Sequence, residues 1–168
     1  EIDWFLYDMR RFYTEAWERL SHFLPEDERD DILAAYWRRL SDPDQVMAMM
    51  AAEQWSAYEN SCATLQAEMR GGGGRMALSL ARLEAHYFRN NCFLSPDYIL
   101  SHVNRLEGKP GYIIQGRHDV ICPPFSADAL CARWRSAEIT MVDDAGHSAF
   151  EPGILGALLR ALDDITQA

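Results

Sequence analysis

Basic residues are scarce in this sequence, and long apolar runs are missing. Sixteen Lys and Arg stand against 26 Asp and Glu in 168 residues, a formal net charge of −10. An acidic chain without a basic patch repels a phosphate backbone, which argues against nucleic acid as a partner. No apolar stretch approaches the ~18 residues that a bilayer-spanning helix needs, which argues against a membrane. The four cysteines, Cys62, Cys92, Cys122 and Cys131, have no C-x-x-C spacing. In a chain long enough to build a core they are expected as reduced thiols of a cytoplasmic protein, not as a disulfide framework. His118, Asp119 and Cys122 lack a regularly spaced fourth ligand, so no metal is implied. The chain opens Glu1-Ile2-Asp3-Trp4, with no initiator Met, basic leader or apolar leader, and reads as a piece of a longer polypeptide.

What is present is a core. Hydrophobic residues make up 48% and aromatics 11%, with five Trp, far from the composition of a disordered segment. Up to about residue 106 the periodicity is helical. Ile2, Phe5, Leu6, Met9, Phe12, Tyr13, Ala16, Trp17 and Leu20 recur at three- and four-residue steps and predict one apolar stripe. A second helix is expected from Pro25 to about Leu40. A third begins at Asp42-Pro43, an N-cap before a proline, and runs to about Met69. Gly71 to Gly74 predict a flexible connection. A fourth helix follows from Met76 to Arg89, and a short fifth from Ser95-Pro96 to Leu106.

Past Gly108-Lys109-Pro110 the period changes. Tyr112 to Gln115 and Glu138 to Val142 read as buried strands, with helices over Ser126 to Trp134 and Ile154 to Ile165. Strand, helix, strand, helix is a βαβ unit with parallel strands. The expected division is therefore a mostly helical part, 1–106, and a strand-bearing part, 107–168. Two parallel strands alone leave open edges and too little cover, so further strands are expected from elsewhere in a longer chain or from another chain.

Functional groups in open parallel sheets gather beyond the carboxyl ends of the strands. Gly116-Arg117-His118-Asp119 follows the first strand and Asp143-Asp144-Ala145-Gly146-His147 the second. Side by side, Asp119 would hold the imidazole of His147 through Nδ1 and leave Nε2 to act as general base. Alternatively, Asp119 only caps the following turn and His147 is a loop residue.

The segment Gly116 to Pro123 resembles the G-R-x-D-x-x-x-P stretch that carries the acid of α/β-hydrolases. Ala145 to Pro152 resembles the G-H-S-x-x-E-P stretch carrying the catalytic histidine of proline iminopeptidases. Asp3-Trp4-Phe5, Glu15-Ala16-Trp17-Glu18, Trp55-Ser56-Ala57-Tyr58-Glu59 and Leu83-Glu84-Ala85-His86-Tyr87-Phe88 are similar to the helical cap of that family, in the same order. The resemblance implies an α/β-hydrolase fragment: cap and return helix over 1–106, then the last strands and helices of the core. It implies release of N-terminal proline from peptides by Ser-His-Asp chemistry without a cofactor, with Asp119 and His147 in the acid and base positions.

No G-x-S-x-G elbow is present, so the nucleophile and the N-terminal half of the core are expected outside this chain. Glu59 and Glu84 lie on apolar helix faces without a Lys four residues away. Ionised carboxylates there need a partner. By resemblance that partner is the substrate amine, with Phe88 as a wall against the proline ring. A local ion pair with Arg75, Arg82 or Arg89, or simple exposure at the edge of the apolar stripe, is the other reading of the two glutamates. Two further readings of the chain remain at this point, another capped hydrolase (an esterase or epoxide hydrolase) and a helical interaction module without catalysis.

Overall fold

A computed structural model describes residues 2–65 and 73–167. Two compact units emerge: 2–61 with 73–94, and 62–65 with 95–167.

The first unit is helical. The expected opening helix is broken. A wide π turn over Trp4–Asp8 passes into a tight 3₁₀ turn, Met9–Arg11, and helix α1 begins only at Thr14 and runs to His22. A π turn carries an extra residue, so the apolar phase slips. Phe5, Leu6, Met9, Ala16 and Leu20 remain buried, while Phe12 is left 64% exposed.

The second helix also starts later than its sequence signal. Glu26–Asp31 is a 3₁₀ turn, and Asp31 caps helix α2 (Ile32–Leu40) by accepting from Ala34 N at 2.9 Å. Helix α3 spans Gln45–Ala63, and Asp44 caps it from one residue past the expected Asp42-Pro43 by accepting from Val46 N. Its expected end near Met69, with Gly71 and Gly72, lies outside the described residues. Gly74 precedes helix α4 (Arg75–Arg89) with φ +75°, a conformation that only glycine adopts without strain.

Trp55 forms the hub of this unit's core. It is 1% exposed and meets the rings of Phe5, Tyr36 and Phe88 at centroid distances of 5.8, 5.5 and 6.2 Å. Tyr36 is fully buried and donates its hydroxyl to Leu20 O at 2.7 Å; burial raises its pKa.

The second unit contains helix α5 (Tyr98–Ser101), a 3₁₀ turn at Val103–Leu106, strand β1 (Gly111–Gly116), helix α6 (Pro124–Cys131), strand β2 (Ala137–Val142) and helix α7 (Pro152–Gln167). β1 and β2 pair in parallel, with Gly111 opposite Ala137 and Gly116 opposite Val142. Both strands therefore end level. The loops Arg117–Pro123 and Asp143–Glu151 leave from the same end of the sheet, which is what a βαβ crossover requires.

Candidate active site

Those two loops meet at one close approach. A Cβ on Gly116 would fall 1.9 Å from Gly146 O and 2.7 Å from Ala145 O. Only glycine at 116 lets the second loop lie against the end of β1. His118 N then donates to Ala145 O at 3.0 Å, and Arg117 N continues the ladder to Val142 O. An exposed ion pair, Arg117 with Asp143, crosses the same strand ends.

Asp119 is 7% exposed and uses its two oxygens differently. Oδ1 accepts from Ile121 N and Cys122 N at 3.0 and 2.8 Å, capping the turn that follows β1. Oδ2 lies 3.0 Å from His147 Nδ1. The two sequence readings of Asp119, turn cap and partner of the histidine, are thus both realised, one on each oxygen. The Asp119 hydrogen bond above all, with Cys122 adding to it and burial of the ring opposing it, brings the His147 pKa up to about 10. A carboxylate that accepts from Nδ1 fixes the tautomer and favours the imidazolium.

Two residues to which the sequence assigned no role complete this frame. Gln115, 8% exposed on β1, reaches Gly116 O and Cys122 O at 3.1 Å and Asp119 Oδ2 at 3.4 Å. A polar residue at the end of an otherwise apolar strand is the one sign of it in the sequence. Glu151 accepts from Gly146 N at 2.8 Å. Its sequence sign is a carboxylate within one turn of a Gly-His pair.

In the helical unit, Glu84 on α4 accepts from Trp55 Nε1 at 2.6 Å. This carboxylate therefore has a fixed orientation from the fully buried indole, and both Glu59 and Glu84 are half-buried. Phe88, one turn after Glu84, packs on Phe5 and Trp55 at 5.4 and 6.2 Å. Phe88 also lines a cavity of about 400 Å³ with Leu6, Tyr7 and the carboxylate-bearing Asp3 and Asp31. Among the described residues no group of three or more His, Cys, Asp and Glu is placed to hold a metal ion, and no helix is long and apolar enough to cross a membrane.

The second unit thus defines a class: a carboxylate–imidazole dyad on loops beyond the carboxyl ends of two adjacent parallel strands. No protein-family model matches the sequence. Individual relatives do. The chain is 38% identical over 169 residues to a probable proline iminopeptidase of Leptolyngbya boryana, covering 97% of this chain and 53% of that protein. It is 37% identical to the proline iminopeptidase of Xanthomonas citri, covering 97% and 54%. It is 38% identical to that of Arabidopsis thaliana, covering 96% and 44%. By sequence the chain is similar to proline iminopeptidases over nearly its whole length, and it spans about half the length of the curated relatives it matches.

Proposed function

We propose that this chain is the C-terminal portion of a cytoplasmic serine exopeptidase that releases N-terminal proline from peptides. In this reading 1–106 is the cap with its return helix, and 107–168 is the end of an α/β-hydrolase core. The observation that carries it is the 3.0 Å contact between the buried Asp119 carboxylate and His147 Nδ1, in a chain that matches proline iminopeptidases along nearly its whole length.

His147 takes the proton of a serine supplied by the other half of the core, then returns it to the departing peptide amine. Asp119 orients the ring and stabilises the cation formed in between. Glu59 and Glu84 receive the protonated amine of the substrate, and Phe88 backs the proline ring. Two carboxylates in a partly dry site suit a single ammonium, which offers donors to both and offsets their repulsion. The high proton affinity of His147 in this chain describes a group ready to hold the imidazolium. In the complete site that affinity must come down toward the working pH for the ring to accept the serine proton.

The test is reconstitution with the N-terminal half of the Xanthomonas citri relative. The 168-residue chain alone gives no cleavage of a proline arylamide and no labelling by a serine-directed fluorophosphonate, because no nucleophile is present. The mixture cleaves the arylamide, and His147→Ala abolishes this. Glu84→Gln weakens substrates with a free N-terminus far more than a simple ester. A mixture that hydrolyses esters and shows no preference for a free N-terminal proline would reject the exopeptidase reading in favour of another capped hydrolase.

A further inference from the structure

The loop that carries His147 is laced to the end of α3 by a side chain to which the chemistry above gives no part. Glu151 Oε1 accepts from Gly146 N at 2.8 Å, the residue just ahead of the histidine. Oε2 accepts from Leu65 N at 3.3 Å. Running the other way, the carbonyl of Ala63 accepts from His147 N and Ser148 N at 2.9 and 2.8 Å. A helix end leaves its last carbonyls without intrahelical partners. Here the main chain of His147 itself supplies one of the missing donors.

Space at the junction is tight. A Cβ on Gly146 would lie 3.1 Å from Leu65 N, 3.2 Å from Glu151 Oε1 and 3.3 Å from Ala63 O. The clamp is also anchored from behind. Glu151 N donates to Ser148 O, and Glu151 O accepts from Leu155 N in the first turn of α7. A carboxylate is the right group for the middle of this arrangement. It is acceptor-only, with an oxygen for each of two N–H donors, whereas a carboxamide would turn a donor toward one of them.

We propose that Glu151 is a positioning residue: by bridging the main chains of Gly146 and Leu65 it sets the place and tilt of His147 against Asp119. The proposal rests on the reading of His147 as the base. Its test reads the imidazole directly rather than turnover, so the two fail separately.

The experiment is NMR on the full 168-residue chain with ¹⁵N-labelled histidine. In the parent chain the Nδ1 proton shared with Asp119 exchanges slowly. In Glu151→Ala it exchanges faster, and the His147 titration midpoint falls by about one unit or more. Glu151→Gln, which keeps the shape and one acceptor, lies between the two and carries the test if the alanine variant does not fold. Tyr36→Phe is the control. It removes the buried bond to Leu20 O in the helical unit, lowers stability and leaves both His147 signals in place. Parent-like exchange and titration in both Glu151 variants would overturn the proposal, as would a Tyr36→Phe chain that moves them equally. In the reconstituted enzyme Glu151→Gln lowers kcat and leaves KM near its parent value. Loss of the His147 signals in the Glu151 variants, in a chain that gives no peptidase on reconstitution, would retire the exopeptidase and keep the positioning role.

Discussion

The two units spend their apolar residues differently. The helical unit encloses large side chains: Trp55, Tyr36, Leu6, Met9, Leu20, Leu24, Ile32 and Leu40 are all at 2% exposure or less. In the strand-bearing unit the buried apolar residues are mostly small, among them Cys62, Ala145, Ala157 and Ala161 with Val103 and Ile154, and no residue of α6 is buried. Ile154 apart, its large ones are half-buried or exposed. Tyr112, Phe125 and Phe150 are exposed, as is a row on α7 made of Leu155, Leu159, Leu162 and Ile165. Parallel sheets are ordinarily covered on both faces and extended beyond two strands. The first unit supplies its own core. The second holds its polar site on a scaffold that leaves large apolar side chains exposed.

The sharpest way to break that contrast is to truncate one large apolar side chain in each unit. Trp55→Ala empties the hub of the aromatic cluster and takes from Glu84 its indole donor. It should cost about 3–5 kcal/mol in urea unfolding. Leu159→Ala on α7, 55% exposed, should change stability by no more than about 0.5 kcal/mol. Equal losses would mean that the second unit has a core of its own after all.

Next in size is Gly116→Ala. The added Cβ points at backbone carbonyls, which cannot swing aside as a flexible side chain does. Overpacking of this kind costs about 1–3 kcal/mol, and it should separate the loop of Asp119 from that of His147. The loss of the slowly exchanging Nδ1 proton reports that separation, and no comparable change should reach the helical unit.

Much of this was legible beforehand, and the reasons differ by region. The strands were readable because short apolar runs between glycine and proline punctuation have few other solutions. The dyad was readable because a βαβ unit forces both loops to the same end of the sheet. The opening helix was not: apolar spacing cannot distinguish an α turn from a π turn, and one extra residue moved Phe12 into solvent. The start of α3 was off by a step where two acids competed for the cap, Asp42 against Asp44. The partners of Asp119 Oδ1, the reach of Gln115 and the clamp by Glu151 were invisible because they depend on backbone amides, which have no letter in the sequence. Spacing along α4 likewise says nothing of the indole that donates to Glu84 from twenty-nine residues away.

A smaller effect is expected from pH. The folded chain holds the His147 proton up to about pH 10, against an ordinary value of 6.5. A raised folded-state pKa stabilises the fold fully below the unfolded value, and the contribution is lost as pH rises through the window to the folded one. Stability should therefore decline between pH 6.5 and about 10, and Asp119→Asn should flatten that decline. The slope belongs to the strand-bearing unit. A variant such as Tyr36→Phe should lower the whole curve without changing its shape in this window.

The smallest expected effect concerns Arg117 and Asp143, which bridge the ends of β1 and β2 beside the dyad and look like a brace for it. Their side chains are 54% and 78% exposed. An exposed pair gives back most of its Coulomb attraction to water and to the entropy of holding a long side chain. The strand ends are already joined by the bonds from Arg117 N to Val142 O and from His118 N to Ala145 O, which alanine at 117 retains. Arg117→Ala should thus change stability by less than about 1 kcal/mol, and the difference should shrink further in high salt. Neither Arg117 nor Asp143 contributes to the shift of His147, so the midpoint of the histidine should not move. A clear drop in that midpoint in Arg117→Ala would show that the ion pair, rather than the backbone ladder and the absence of a side chain at Gly116, keeps the two loops together.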